Sequence, residues 1–218
     1  MFPYSNPFQK VLFFLHIVFI IVFLNQIFNM PIFYASLITW VYVMLVLLVP
    51  YLYLLLWETR IDKIENYLLK QKKHRALYFY YLLANGMDQE LQSVLSELEA
   101  KTKNRQKLAL IHAAYGIFKK DSALVKSTLG HISSETYRNY YSAYVQISEG
   151  NLADAHITIE SLPKPWMKMV MLSAMELNAG NRSKAAEYAK QALHTSRGLQ
   201  RYVNHRAYER ELSEALAL

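Results

Sequence analysis

The chain has 218 residues, 24 of them basic and 17 acidic, a formal net charge of +7, and no cysteine. That length suits one folded domain plus a small second part, and the missing thiols exclude a disulfide framework, a thiolate metal site and a cysteine nucleophile. Before Glu58 the only formally charged side chain is Lys10, whereas 23 basic and all 17 acidic residues follow Trp57, so that part carries +6, a balance that favours anionic lipid, nucleic acid or acidic protein surfaces.

The uncharged N-terminal part divides into two apolar runs, residues 8–28 and 31–57, joined only by Asn29, Met30 and Pro31. At ~1.5 Å per residue, residues 11–28 reach roughly 27 Å and residues 31–57 roughly 40 Å, against a hydrocarbon core of ~30 Å. Residues 1–57 are therefore expected to form a transmembrane hairpin with both ends on one side. A cleaved signal peptide would need a basic run before the first stretch and a small-residue site after it, and neither is present. Lys10 precedes the first span, Arg60, Lys63, Lys70, Lys72, Lys73 and Arg75 follow the second, and the turn has no cation. The positive-inside rule thus puts both termini and the soluble part in the cytoplasm, at the plasma membrane. His16, Asn25 and Gln26 are read as interhelical hydrogen-bonding groups. Trp40, Tyr42, Tyr51, Tyr53 and Trp57 are read as interface anchors, and Pro50 as a bend.

Residues 58–73 read as a linker helix, suggested by Ile61, Ile64, Tyr67 and Leu68 and continuing from the second span, followed by a basic juxtamembrane segment. In "KQKKHR", the cations Lys70, Lys72, Lys73 and Arg75 are expected to face anionic lipid headgroups, at ~1 kcal/mol each near the surface.

From residue 74 onward the apolar periodicity is helical and no alternating strand pattern of useful length occurs. It predicts helices over 74–85 and 88–100, 105–118 and 121–130, 135–148 and 151–161, and 166–178 and 181–194, with a last helix over 199–216. Asp88, Asp121, Asn151 and Asn181 are the expected N-caps, at spacings of 33, 30 and 30 residues, and Gly150 and Gly180 are the expected left-handed exits. Pro163 and Pro165 separate the third pair from the fourth. A helix-turn-helix period of 30–33 residues implies stacked hairpins.

Gly180-Asn181 with Ala185 and Ala192, and Gly150-Asn151 with Ala155, resemble the tetratricopeptide repeat family. The first two units carry Met87 and Lys120 where the turn glycine is expected. The resemblance covers residues 74–195 and implies an all-α protein: a two-helix transmembrane hairpin, then a tetratricopeptide-like α-solenoid of about four helix pairs with a C-terminal capping helix. It also implies a concave groove that binds peptides or helices of a protein partner. Tyr137, Tyr140, Tyr141 and Tyr144 form one stripe at helical spacing, suited to such a groove and equally to inter-repeat packing, with Tyr78, Tyr81 and Tyr115 extending the surface. On the last helix Arg197, Arg201, Arg206 and Arg210, interleaved with tyrosines, could meet RNA or the ribosome.

The six glycines are too scattered for a phosphate-cradling or dinucleotide loop, and neither a G-x-S-x-G nor an H-E-x-x-H motif occurs. His74, His112, His131, His156, His194 and His205 fall on different helices. No catalytic, cofactor or metal site is predicted. The expectation is a non-enzymatic, membrane-anchored adaptor or scaffold, with RNA or ribosome contact through the basic helix as the alternative.

Overall fold

The computed structural model describes residues 7–216, with side chains from Val11 onward, so the Lys10 side chain on which part of the orientation argument rests lies outside the described residues. Among them are twelve α-helices, two short 3-10 turns and no strand. The chain divides into two compact units, Met1–Trp57 and Glu58–Leu218.

The first unit holds α1 (Pro7–Phe28) and α2 (Ile32–Leu56). Both are long and apolar enough to cross a membrane. Asn29, at φ 48°, turns the chain between them. Asn25 Nδ2 donates to the Met30 carbonyl at 2.8 Å, so this asparagine closes the turn and does not bridge the helices. On α2 only Ala35 and Thr39 are buried, four residues apart, and Thr39 Oγ1 donates back to the Ala35 carbonyl at 2.8 Å. Small residues at that spacing let two backbones approach, while large chains such as Phe19 (64% exposed) and Phe33 (71%) point outward. α2 continues through Pro50 without interruption.

In the second unit the chain does not continue helically out of α2. Trp57 to Arg60 breaks the helix, because Glu58 Oε1 accepts the amides of Thr59 (3.0 Å) and Arg60 (3.2 Å). A new helix, α3 (Ile61–Leu69), then begins. It is part of the folded body and not a linker, since Ile64 and Leu68 are fully buried; each such burial stabilises by ~1.5–3 kcal/mol.

Four antiparallel pairs follow: α4 (Arg75–Asn85) with α5 (Asp88–Lys101), α6 (Arg105–Lys119) with α7 (Ser122–Thr128), α8 (Glu135–Ser148) with α9 (Leu152–Glu160), and α10 (Pro165–Asn178) with α11 (Arg182–Thr195). The four tight turns are built alike. Gly86, Lys120, Gly150 and Gly180 take the left-handed conformation. The next amide reaches back to the carbonyl five residues earlier: Met87 to Leu82, Asp121 to Gly116, Asn151 to Gln146, and Asn181 to Glu176, at 2.8–3.0 Å. Each is a Schellman closure that satisfies the orphan carbonyls of the helix end.

This register corrects two expectations. The first unit does have its turn glycine, Gly86, and the residue capping α5 is Met87, with Asp88 inside the first turn. Of the expected caps only Asp121 accepts an amide, from Leu124 at 2.9 Å, because Asn181 donates to Glu176 and Asn151 makes no side-chain cap bond. Asn104, unanticipated, caps α6 through the Lys107 amide at 2.9 Å. The crossing of the last pair is close because Ala185, Ala189 and Ala192 are fully buried. The final helix, α12 (Gly198–Glu211), is followed by a 3-10 turn, Ser213–Ala215.

Candidate functional site

Two of the four tyrosines of the α8 stripe lie in the interior. Tyr140 and Tyr141 are each 8% exposed and sit in one core with Val125, Met167 and Met171, while Tyr137 and Tyr144 pack half-buried against it. Tyr140 stands 5.7 Å from the Trp166 ring. Burial pushes both hydroxyls well above the ordinary tyrosine value, and the Tyr80 hydroxyl up to about 12. Neutral hydroxyls on large rings suit packing between helices, and Tyr140 and Tyr141 are core side chains, while Tyr137 and Tyr144 stay half-exposed. Tyr78 is also buried; its hydroxyl donates to Glu90 Oε1 at 2.8 Å and its ring stacks on Tyr81. Tyr115 is half-buried beside Phe118.

The feature with the most long-range chemistry is α12, which returns to the beginning of the second unit. Besides α11 it packs on α3 and α4. The Gly198 amide donates to the Glu58 carbonyl at 2.7 Å, and Arg201 Nε donates to the Thr59 carbonyl at 2.9 Å. Arg206 Nη2 donates to Glu65 Oε2 at 2.7 Å, and the Tyr202 hydroxyl to Glu65 Oε1 at 3.2 Å. Asn85 Nδ2 donates in turn to the Tyr202 oxygen at 2.7 Å. Two arginines cap other helices at the end where the dipole favours a cation: Arg201 donates to the Leu193 carbonyl at the end of α11, and Arg210 to the Ala84 carbonyl at the end of α4. Tyr202 is fully buried, and burial, first among several causes, pushes its hydroxyl up to about 12.

This arrangement locates the predicted basic helix. Arg201, Arg206 and Arg210 direct their donors at carbonyls and carboxylates of the protein itself, and Arg197 alone of the four makes no such bond among the described residues. Sequence reasoning missed Glu58, Glu65 and Asn85, the acceptors and bridge of this contact. The available signal was weak: Glu65 is the last acid before a stretch without any, which ends only at Asp88.

The juxtamembrane cations separate into two kinds. Arg75 bonds Glu97 at 2.9 Å, and Lys63 approaches Glu58 at 3.6 Å. Lys70, Lys72 and Lys73 are exposed and have no ion pair among the described residues; Lys72 rests over the Tyr78 ring. No group of three or more His, Asp or Glu able to hold a metal occurs among the described residues. Comparison with protein families, with curated proteins and with solved structures finds no match.

Proposed function

We propose that this chain is a membrane-anchored scaffold whose hairpin holds a tetratricopeptide-like helical array on the cytoplasmic face of the plasma membrane. The observation that carries the anchoring is an inversion of surfaces. In the first unit large apolar side chains lie outside and small ones at the contact; in the second, apolar side chains are buried and charge lies outside. A hairpin of that kind is stable where the surroundings are themselves apolar. Four turns of one geometry, with left-handed residues spaced 34, 30 and 30 residues apart, support the repeat reading. The unneutralised Lys70, Lys72 and Lys73 meet anionic headgroups.

A protein partner is recruited to the array by displacing α12, which covers the surface of α3 and α4 through charged and capping bonds together with the packing of Tyr202 and Val203. Confinement near one membrane raises its effective concentration to the mM range typical of short tethers. RNA binding by α12 gains no support from arginines engaged with protein acceptors.

The full chain is expected to stay with membranes after an alkaline carbonate wash, and protease added from the cytoplasmic side should leave a protected fragment near Met1–Trp57. Extraction by carbonate overturns the anchoring, and digestion of residues 58–218 by protease added outside sealed cells overturns the cytoplasmic orientation. For the scaffold, cross-linking in native membranes should capture more of the same partner with Glu65→Gln, Arg206→Ala than with the native chain, and an unchanged yield counts against displacement.

A further inference from the structure

The first unit carries a polar pair where an apolar surface would be expected. His16 Nε2 and Tyr42 Oη lie 3.2 Å apart, linking α1 to α2. His16 is exposed and Tyr42 is 38% exposed. Counting from the hairpin turn at ~1.5 Å per residue, Tyr42 lies roughly 15 Å and His16 roughly 18 Å along their helices, the middle of a ~30 Å hydrocarbon core. Tyr42 is therefore at the wrong depth for the interface anchor that the sequence suggested.

A tyrosine hydroxyl and a neutral imidazole each offer one donor and at least one acceptor. If the hydroxyl donates to Nε2, Nδ1–H remains as a donor and the phenol oxygen as an acceptor. If Nε2–H donates to the oxygen, the phenol O–H remains as donor and Nδ1 as acceptor. In either tautomer the pair keeps one donor and one acceptor unfilled among the described residues, on two exposed side chains, in apolar surroundings that supply neither. Polar groups left open in hydrocarbon are costly. The surface that satisfies both at once is the same surface turned through a two-fold axis, as in an isologous dimer.

We propose that the His16/Tyr42 face is the contact between two copies of this chain within the membrane, each pair completing the other's hydrogen bonds. Ile38 and Leu45, 46% and 54% exposed, flank Tyr42 on the side away from Ala35 and Thr39 and extend that contact. The proposal rests on the membrane reading.

The native chain has no cysteine, so single introduced cysteines report the contact cleanly. Ile38 lies about 40° from Tyr42 around α2 and Met44 about 160° away. The purified full chain carrying Ile38→Cys or Met44→Cys is reconstituted in phosphatidylcholine vesicles, floated, and treated with a membrane-permeant oxidant over a range of protein-to-lipid ratios. Ile38→Cys should give a covalent dimer and Met44→Cys should not. Adding Tyr42→Phe or His16→Leu should raise the ratio needed for half-maximal cross-linking by about tenfold, as for the loss of two ordinary interhelical hydrogen bonds in a bilayer. His16→Gln, which keeps a donor and an acceptor, should preserve the dimer. Absence of cross-linking at Ile38→Cys in floated, helical protein overturns the dimer, as does indifference to His16→Leu. Failure of the native chain to float overturns the membrane reading, and the dimer falls with it.

Discussion

The contact between Arg206 and Glu65 closes the second unit end to end, and its removal should loosen α12 without unfolding the rest. The bond is 2.7 Å long, with side chains 24% and 27% exposed, so solvent screens it only in part. Charge-assisted hydrogen bonds in such sites contribute about 1.5–3 kcal/mol. Arg206→Ala also leaves Glu65 with Tyr202 as its remaining side-chain partner on α12. About 2 kcal/mol of local destabilisation is therefore expected. At 1.4 kcal/mol per tenfold, α12 amides should exchange hydrogen about thirtyfold faster in the full chain, read by mass spectrometry peptide by peptide. Amides of α8 and α9, which make none of these bonds, should be unaffected. Glu65→Gln added to Arg206→Ala should cost little more, since the two substitutions remove one interaction. Uniform acceleration across α4 to α11 would refute the reasoning, because α12 would then open only with the whole unit, and so would exchange in α12 that ignores both substitutions.

Gly116→Ala should destabilise by about 1–3 kcal/mol in chemical denaturation, because an added Cβ would stand 2.7 Å from Val125 Cγ2 and 3.1 Å from the Asp121 carbonyl oxygen. Lys120→Gly should stabilise by about 0.5–1 kcal/mol, since Lys120 holds φ 56° at the one tight turn of the four without glycine; its exposed approach to Glu211 at 3.7 Å contributes little. Tyrosines hold a further window. Burial raises Tyr80 and Tyr202 to about 12 in the folded chain, against ~10 when unfolded. The unfolded state thus releases these protons first, so their stabilising contribution is intact below pH 10 and lost as pH climbs towards 12. Phenolate absorbance should rise late and together with loss of helical signal; early, reversible titration of these groups in folded protein would contradict the burial.

Helix positions were legible because the signals are local. An amphipathic period and a left-handed exit are written in neighbouring residues, so the predicted 135–148 coincides with α8, and 105–118 falls one residue short of α6. The first turn was displaced by one residue because Asp88 is the better capping residue by type. The Schellman closure at Gly86 nevertheless places Met87 at the cap, and Asp88 Oδ2 instead accepts from Lys119 at 2.9 Å. Backbone geometry outweighed side-chain preference. The stripe on α8 could not be assigned from spacing, because groove and core ask for the same residues at the same interval. Burial of Tyr140 and Tyr141 depends on α10, and the sequence of α8 does not contain it.

What no local signal could convey is the return of α12. Its bonds to Glu65, Asn85 and Ala84 join residues 117–141 positions apart, and sequence shows an arginine's charge but not its acceptor. Contacts of such separation carry a large loop-closure cost and form late unless their energy is high. Here much of that energy is polar: beside the apolar packing of Tyr202, Val203 and Tyr208, Asn204 Nδ2, His205 Nδ1 and Arg206 Nε are buried on α12 without a hydrogen-bond partner among the described residues, so charged and capping bonds hold the helix beside incompletely satisfied groups. The helix pairs before it close instead on apolar cores with fully buried Ala113, Val125, Ala155 and Ile159. The last element should therefore be the first to open, and its opening would uncover the α3 and α4 face together with the arginines that now cap their neighbours.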